Sequence, residues 1–457
     1  MENIVCDVAN SFCNVAKTIF DIKNSLCDMA KMLCDVAKML CNCGKLVYNV
    51  ENSFCRIGRE KSHEKNIFTD VRKRLKNAGS LNKIIIMKKE YADFFDYLVW
   101  RGDLNFEQSP FNAVDALLLS QLSYLDFSTA VPHAEASAIR MRDCARLHEE
   151  IRAQDAGLMI NERTPRLFFE AAKSERFGEV LMSDFVSKHD EASEEQFCAI
   201  TFTLDKDSVF VAFRGTDDTL MGWKEDFNLS FLTDIPSQKD AADYLQEQAG
   251  APYVKRVFVG GHSKGGNLSL YAASHLKGYG EKLCAVFNFD GPGFLKETLE
   301  RSEYQAIKGK TFSFYPQLSI IGQLFEHFEN YAVVKSSAQF LSQHDPFTWH
   351  LAARGFEQVE SLEAGSVYFH KTFNEWAVSL DSESREQFVS ALFEPLLESS
   401  YKSLSEMSEN WLFALGSVIH ATSEMDSDIK KEARKVLQGL LSVAKGNFGV
   451  LIAKQRI

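Results

Sequence analysis

One stretch, residues 254–276, constrains the fold of this chain more than any other. A β-rich run ends at Val259, and a helix-compatible run of small residues begins at Asn267. Between them lies the pattern Gly261-His262-Ser263-Lys264-Gly265. A strand, a sharp turn and a helix in this order are typical of a nucleophile elbow, which holds a serine in a strained backbone conformation. The flanking positions must lack bulk, and here they are glycines.

The same pattern has a plainer interpretation, a glycine-rich strand–helix turn that carries an incidental serine. The β run before the pattern and the Gly-Gly start of the helix after it favour the nucleophile. The helix would also direct free N–H groups toward the site, where negative charge develops on an attacked carbonyl. We therefore predict Ser263 as a catalytic nucleophile, with Gly261 and Gly265 as the elbow glycines.

Composition limits the class of protein. The chain has 457 residues, 45% hydrophobic and 25% charged, which is ordinary for a globular protein with a sizeable core. Its net charge of −12 argues against nucleic-acid binding. No apolar run reaches the length of about 18 residues that a transmembrane helix requires. Glu2 and Asp7 interrupt any signal-like apolar region, so the predicted location is cytoplasmic.

Cysteine usage gives no sign of a metal site. Of the ten cysteines, three lie beyond residue 55, namely Cys144, Cys198 and Cys284. No C-x-x-C pair occurs, so zinc is not expected. We predict no metal and no cofactor. We expect these three cysteines to be reduced and buried and to pack as small hydrophobic residues.

The first 60 residues form a different kind of sequence. Apolar residues recur at alternating spacings of three and four over residues 8–57, which predicts a heptad-repeat helix and self-association through its apolar seam. Cysteine also recurs beside this seam, where packing does not require it. That regularity indicates the alternative, an appended or artefactual duplication, with Met87 as another start. Residues 61–90 are rich in Lys and Arg and are predicted to be a basic linker.

The body of the chain reads as alternating helices and strands, which predicts an α/β fold with a mostly parallel sheet flanked by helices. We assign residues 91–372 to this core and residues 373–457 to a C-terminal helical subdomain. Within the core, the predicted elements are an amphipathic helix over 111–124, helical pieces and turns over 130–195, a hairpin of 196–204 with 208–213, and strands over 283–289 and 311–315.

A serine nucleophile needs an imidazole and a carboxylate. Asp290 is the best carboxylate because it follows an apolar strand at the carboxyl edge of the sheet, although it could equally cap the Asp-Gly-Pro-Gly turn. For the imidazole we favour His344, in a loop late in the core and followed by Asp-Pro. The other candidates are His275, His327, His350 and His370.

The oxyanion hole requires two N–H donors. One is expected from the backbone of Lys264, directly after the nucleophile. The other must come from an earlier strand-end loop, and Gly215-Thr216 fits, with Thr216 able to offer its hydroxyl as well.

These residues carry a resemblance to a known family. Phe213-Arg214-Gly215-Thr216, then Trp223 and Asp226, then the elbow motif, resemble the class 3 lipase branch of the α/β-hydrolases. A closer resemblance, carried by 101–104, 121–124 and 343–346, is to a bacterial, uncharacterised family of lipase-like proteins. It covers about two thirds of the chain and omits the heptads. It implies a serine hydrolase acting on carboxylic esters, with Ser263 as nucleophile and Thr216 in the oxyanion hole.

One feature departs from that family. Class 3 lipases usually carry the triad acid on a later strand, but residues 317–322 contain no carboxylate. We therefore keep Asp290 as the substitute. The main prediction is a serine ester hydrolase acting on a small-molecule or lipid ester without a cofactor. The alternatives are an inactive hydrolase scaffold that serves as an interaction module, or a thioesterase or acyltransferase using the same triad.

Overall fold

A computed structural model of the chain describes residues 91–131, 138–148, 151, 161–190, 195–217, 220–229, 232, 234–379 and 381–397. The predicted heptad segment, the basic linker and residues 398–457 of the predicted helical subdomain lie outside this set. Over the described ranges, no helix has the length and apolar character to cross a membrane.

The centre of the fold is a mixed β-sheet. Its strands and a small separate ribbon are, in chain order, β1 (Ile139–Arg140), β2 (Leu181–Asp190), β3 (Glu195–Asp205), β4 (Ser208–Phe213), β5 (Arg256–His262), β6 (Leu283–Phe289), β7 (Thr311–Pro316), β8 (Tyr331–Val334), β9 (Leu351–Ala352), β10 (Gly355–Phe356) and β11 (Gln358–Val359). Within the described residues, nine strands form the sheet in the order β1-β2-β3-β4-β5-β6-β7-β8-β11. Strands β9 and β10 form the ribbon.

Strand direction divides this sheet into a parallel centre and antiparallel edges. The pairs from β4 to β8 are parallel. The pairs from β1 to β4, and the pair of β8 with β11, are antiparallel. The predicted hairpin of β3 and β4 is confirmed, and the α/β fold with a mostly parallel, helix-flanked sheet is confirmed in this mixed form.

Helices cover both faces of the sheet. They are α1 (Phe94–Arg101), α2 (Ala113–Leu122), α3 (Met141–Leu147), α4 (Thr164–Lys173), α5 (Glu175–Gly178), α6 (Leu220–Asn228), α7 (Pro236–Gly250), α8 (Lys264–Ser274), α9 (Lys296–Leu299), α10 (Ser302–Ile307), α11 (Ala364–Ser379) and α12 (Ser382–Leu397). Helix α2 packs on β4, β5 and β6 from one face, and α7 and α8 pack from the other.

Strand β4 shows why the central strands are apolar throughout. Phe210 and Ala212 belong to the core on the α2 face, whereas Val209 and Val211 belong to the core on the α8 face. Successive side chains of a strand point to opposite faces, so a strand covered on both sides needs no polar alternation.

Helix α2 corrects the predicted amphipathic helix. It is a helix, but every residue from Val114 to Leu122 is buried. The sheet covers one side of it and α4 packs on another. The polar Asp115 is tolerated there because it accepts two hydrogen bonds from the buried guanidinium of Arg176, at 2.6 and 2.5 Å, and one from the hydroxyl of Tyr97 at 2.7 Å.

Three other elements differ from the sequence prediction. Strand β2 lies inside the stretch predicted to be helical pieces and turns. Its alternation is hidden by a bulge between Ser183 and Val186, where Asp184 has a φ of 57°. Helix α6 and strand β8 were not predicted.

Cys144 and Cys198 are buried as expected, but Cys284 is exposed, because it lies near the start of β6 where the strand reaches the surface.

The turn between β5 and α8 brings backbones unusually close together. A Cβ atom built on Gly265 would lie 2.1 Å from the carbonyl oxygen of Phe213, and one on Gly261 would lie 2.3 Å from the carbonyl carbon of Gly265. Both contacts are with backbone atoms, which cannot rotate away. Glycine is therefore required at both positions for the end of β4 to touch the start of α8.

We expect Gly265→Ala to destabilise the protein by about 3 kcal/mol or more, because the methyl group overlaps the strand backbone. Urea unfolding followed by circular dichroism measures this. Gly280→Ala is the matched control, since a Cβ built on Gly280 meets nothing within 4 Å. Its free energy of unfolding should stay within about 0.5 kcal/mol of wild type. Equal unfolding midpoints for the two variants would contradict the steric account.

Candidate active site

Ser263 occupies the turn between β5 and α8 in a strained conformation. Its φ of 59° and ψ of −134° are unfavourable for a residue with a side chain. Its N–H donates to the carbonyl of Phe289 at 2.9 Å, and its own carbonyl accepts from Gly266 at 2.8 Å. The neighbouring strand and the helix thus hold the conformation. This backbone geometry is that of a nucleophile elbow.

Asp290 and His344 meet at the carboxyl edge of the sheet. Asp290 directly follows β6, and His344 ends a 3-10 helix, Phe340–His344. The ring Nδ1 of His344 lies 2.6 Å from the Oδ2 of Asp290. Both side chains are buried. The carboxylate can accept only, so Nδ1 carries the proton in this contact and Nε2 is left as the acceptor of the neutral ring.

The Nε2 atom of His344 is buried and has no hydrogen-bond partner among the described residues. An unsatisfied buried acceptor costs about 1 to 3 kcal/mol, so this atom requires an explanation. The centroid of the His344 ring lies 4.4 Å from that of the ring of His262, the residue before Ser263. The imidazole of His344 thus packs beside the residue that precedes the elbow serine.

The second oxygen of Asp290 is held by a residue from the next strand connection. Ser319 donates its hydroxyl to Oδ1 of Asp290. Its own carbonyl accepts from the hydroxyl of Ser366 on α11. All three residues are buried. Both oxygens of the carboxylate therefore have fixed partners, and its orientation toward His344 is determined from two sides.

Neighbouring residues hold the loop that carries His344. The indole N–H of Trp349 donates to the Gln343 carbonyl at 2.7 Å, and the Gln343 side chain accepts from the N–H of Leu318 at 2.8 Å. Asp345 accepts from the Asn161 amide at 2.6 Å and from the N–H of Phe347 at 3.0 Å. Burial raises the pKa of Asp345. The residues on each side of His344 thus anchor it to different parts of the core.

His262 contacts the backbone of His344. Its Nε2 lies 2.8 Å from the carbonyl oxygen of His344, and its Nδ1 lies 3.1 Å from the hydroxyl of Tyr124. A carbonyl can only accept, so Nε2 carries the proton and Nδ1 accepts from Tyr124. The pKa of His262 lies well below its usual range. Burial is the main cause, and the positive charge that His344 can carry adds to it. His262 is therefore neutral near pH 7.

The loop after β4 lies directly against the elbow. A Cβ atom built on Gly215 would be 2.9 Å from the Cβ of Ser263 and 2.6 Å from the His262 carbonyl oxygen. Thr216, the next residue, is buried. Lys264 is the first residue of α8, so its N–H has no acceptor within the helix. The two segments predicted to form an oxyanion hole therefore both border Ser263.

The remaining histidine candidates contact other groups in the described structure, and none of them bonds to Asp290. The Nε2 atoms of His327 and His350 are also buried without a hydrogen-bond partner within the described part of the chain. His350 lies 2.9 Å from Glu357 and stacks on Tyr91. His327 contacts the hydroxyl of Tyr315. His275 contacts the carbonyl of Tyr271, and His370 contacts the carbonyl of Gln323.

Three side chains at this site were not predicted from the sequence. Ser319 lies in the 317–322 stretch, where the family pattern leads one to expect a carboxylate and not a hydroxyl. His262 and Tyr124 lie inside motifs that carried the family resemblance, but the motif gives no sign of which group each side chain contacts. Ordinary hydroxyl and imidazole residues acquire these roles only through the contacts that the fold creates.

Comparison with known proteins gives one partial family match and a weak structural similarity. Residues 171–394 match the model of the Mbeg1-like family. The matched stretch contains the elbow, Asp290, Ser319 and His344. No curated protein matches the chain. Among solved structures, the chain is similar to a crystal structure of M37 lipase at 16% identity and a TM-score of 0.30, over 46% of this chain and 68% of that one. The sheet of the chain itself, parallel at its centre and covered by helices on both faces, is an α/β fold.

We expect His262 to make the protein less stable in mild acid. Its folded pKa is depressed, so below an unfolded pKa of about 6.5 only the unfolded state takes up the proton. Between pH 7.5 and 5.5 this residue should remove about 1.4 kcal/mol of stability. His262→Gln should remove that part of the pH dependence in urea unfolding. The exposed His189, changed to Gln, should keep the wild-type dependence. An unchanged slope in His262→Gln would refute the assignment.

Proposed function

We propose that this chain is a serine hydrolase that cleaves carboxylic esters of small molecules or lipids. In this proposal Ser263 is the nucleophile, His344 is the general base and then acid, and Asp290 orients and stabilises the imidazole. The observation that carries it is the 2.6 Å contact of His344 with Asp290, which leaves a buried, unpartnered Nε2 near the elbow. An imidazole that a carboxylate holds at Nδ1, with Nε2 free to accept, is the kind of base that can take the proton of a serine hydroxyl.

The chemistry follows from these positions. The Ser263 hydroxyl attacks the ester carbonyl while Nε2 of His344 accepts its proton. The imidazolium formed is stabilised by the carboxylate of Asp290. The oxyanion binds the N–H groups of Thr216 and Lys264, and the start of α8 adds a favourable dipole. His344 then protonates the leaving alcohol, and a water molecule releases the acyl group by the same route.

The missing carboxylate of residues 317–322 motivated the alternative of an inactive scaffold. Asp290, supported by the Ser319 hydroxyl, contacts His344 from the preceding strand instead. This contact favours an active hydrolase over a scaffold.

We expect a fluorophosphonate probe to label the folded protein at Ser263. The probe needs an activated serine, because an ordinary hydroxyl is too weak a nucleophile. Ser263→Ala should abolish labelling, and peptide mapping should find the adduct on residues 256–274. Ser274→Ala, on the same helix, should label normally. A folded wild-type protein that neither labels nor hydrolyses any of a panel of p-nitrophenyl esters would overturn the proposed function.

Removal of the Ser319 hydroxyl should slow the reaction without weakening substrate binding. Ser319→Ala frees one oxygen of Asp290, and loss of a hydrogen bond to a charged group of about 1.5 kcal/mol corresponds to about a tenfold lower kcat. KM should change less than kcat. Ser366→Ala serves for comparison, because it touches the Ser319 backbone and not Asp290, and its effect should be smaller. Wild-type kcat in a folded Ser319→Ala variant would refute this role.

A further inference from the structure

The side chain of Lys264, the residue after the proposed nucleophile, is buried and paired. Its exposed fraction is 1%. The ammonium Nζ donates to Oε2 of Glu225 at 2.7 Å, to the backbone oxygen of Gln196 at 3.0 Å and to the Gln196 side-chain oxygen at 3.3 Å. A lysine this deep is rare unless it is paired. Its three donors reach two segments distant in sequence.

Glu225, the partner of Lys264, is also completely buried. It lies on α6, the helix that follows the Gly215-Thr216 loop. Its Oε2 accepts a further hydrogen bond from the N–H of Gln196 at 3.1 Å, and its Oε1 accepts from the N–H of Ser237 at 3.3 Å. The ion pair thus joins the elbow, α6, the start of β3 and the start of α7.

Gln196 extends this network to the proposed oxyanion loop, residues 215–217. Its side-chain oxygen, which accepts from Lys264, also accepts from the N–H of Asp217 at 3.3 Å. A Cβ atom built on Gly222 would lie 2.6 Å from that oxygen and 2.8 Å from the Cγ2 of Thr216. Helix α6 therefore packs closely against both Thr216 and the amide that binds Asp217.

We propose that the Lys264–Glu225 ion pair is a positioning device that holds the oxyanion loop at a fixed distance from Ser263. Its effect on rate rests on the proposed function, but its effect on the loop does not. The backbone of Lys264 then supplies one oxyanion donor, while its side chain fixes, through Gln196, the segment that supplies the other. Neither Lys264 nor Glu225 needs to touch the substrate for this role.

A general contribution to stability is the competing explanation, and its energetics make it distinguishable. A buried ion pair can often be replaced by apolar residues of similar volume with no loss of stability, whereas removal of one partner leaves an uncompensated charge. The double replacement Lys264→Met with Glu225→Leu should therefore recover most of the stability lost in Lys264→Met alone. It does not recover the hydrogen bonds to Gln196. A structural role predicts recovery of loop order as well, whereas a positioning role does not.

The experiment compares wild type, Lys264→Met and the double variant by thermal unfolding and by hydrogen–deuterium exchange. The positioning role predicts a Tm for the double variant close to wild type, with at least tenfold faster exchange in peptides covering 214–217. Tyr97→Phe is the control, because it loses a buried hydroxyl bonded to Asp115, away from the elbow. It should lower Tm without selectively raising exchange at 214–217. Wild-type exchange in the double variant would overturn the proposal.

Ester hydrolysis by the same proteins tests the catalytic consequence separately. Misplacement of a donor by about 1 Å can cost about a hundredfold in rate, and complete loss of one costs about 10²–10³-fold. The double variant should lose about 10- to 100-fold in kcat with little change in KM. Faster exchange in a protein whose wild type neither labels with the fluorophosphonate probe nor hydrolyses any ester would support the positioning role and refute the proposed function. Faster exchange with unchanged kcat would refute the catalytic part of the proposal.

Discussion

The contact on which the rest of the site depends is the backbone approach at the elbow. Gly261 and Gly265 let the end of β5 and the start of α8 touch each other and the end of β4, at distances that no side chain permits. The N–H of Ser263 joins the same point to the end of β6. Three strand ends therefore converge within a few ångströms, and each continues into a segment of the candidate site. Ligand sites of open α/β sheets characteristically lie at this edge.

The site is polar and almost closed to solvent, and its polar groups are satisfied in pairs. Asp290 has His344 and Ser319, Lys264 has Glu225 and Gln196, and His262 has Tyr124 and the His344 carbonyl. Buried networks of this kind are stable only when every member finds a partner. The Nε2 atoms of His344 and of Gln196 are exceptions in the described structure. Local exceptions to otherwise consistent design are expected where a protein must react.

Asp290 and Ser319 approach each other from the ends of two neighbouring strands. Strands β6 and β7 are parallel neighbours, and the N–H of Asp290 donates to the Phe314 carbonyl of β7 at 2.9 Å. Adjacent strands lie about 4.8 Å apart. Residues that follow the carboxyl ends of these two strands can therefore contact each other, as Ser319 contacts Asp290. The carboxylate of Asp290 after β6 and the hydroxyl of Ser319 after β7 therefore meet at one edge of the sheet. Helix α11 takes part through Ser366, which supports Ser319 from the C-terminal side.

Local sequence alone determined the strand–turn–helix at Ser263, the α/β class and the hairpin of β3 and β4. Close backbone contacts are visible in the spacing of glycines, and burial on two faces is visible in apolar runs. Local sequence did not reveal β2, whose alternation a bulge interrupts, or that α2 is buried on all sides, because burial depends on what packs against a helix. Only the tertiary structure decided that Ser319 supports Asp290, that His262 holds the backbone of His344 and that Lys264 pairs with Glu225. Each of these contacts joins residues 29 to 82 positions apart. Their partners are fixed by the folded path of the chain and not by any local pattern.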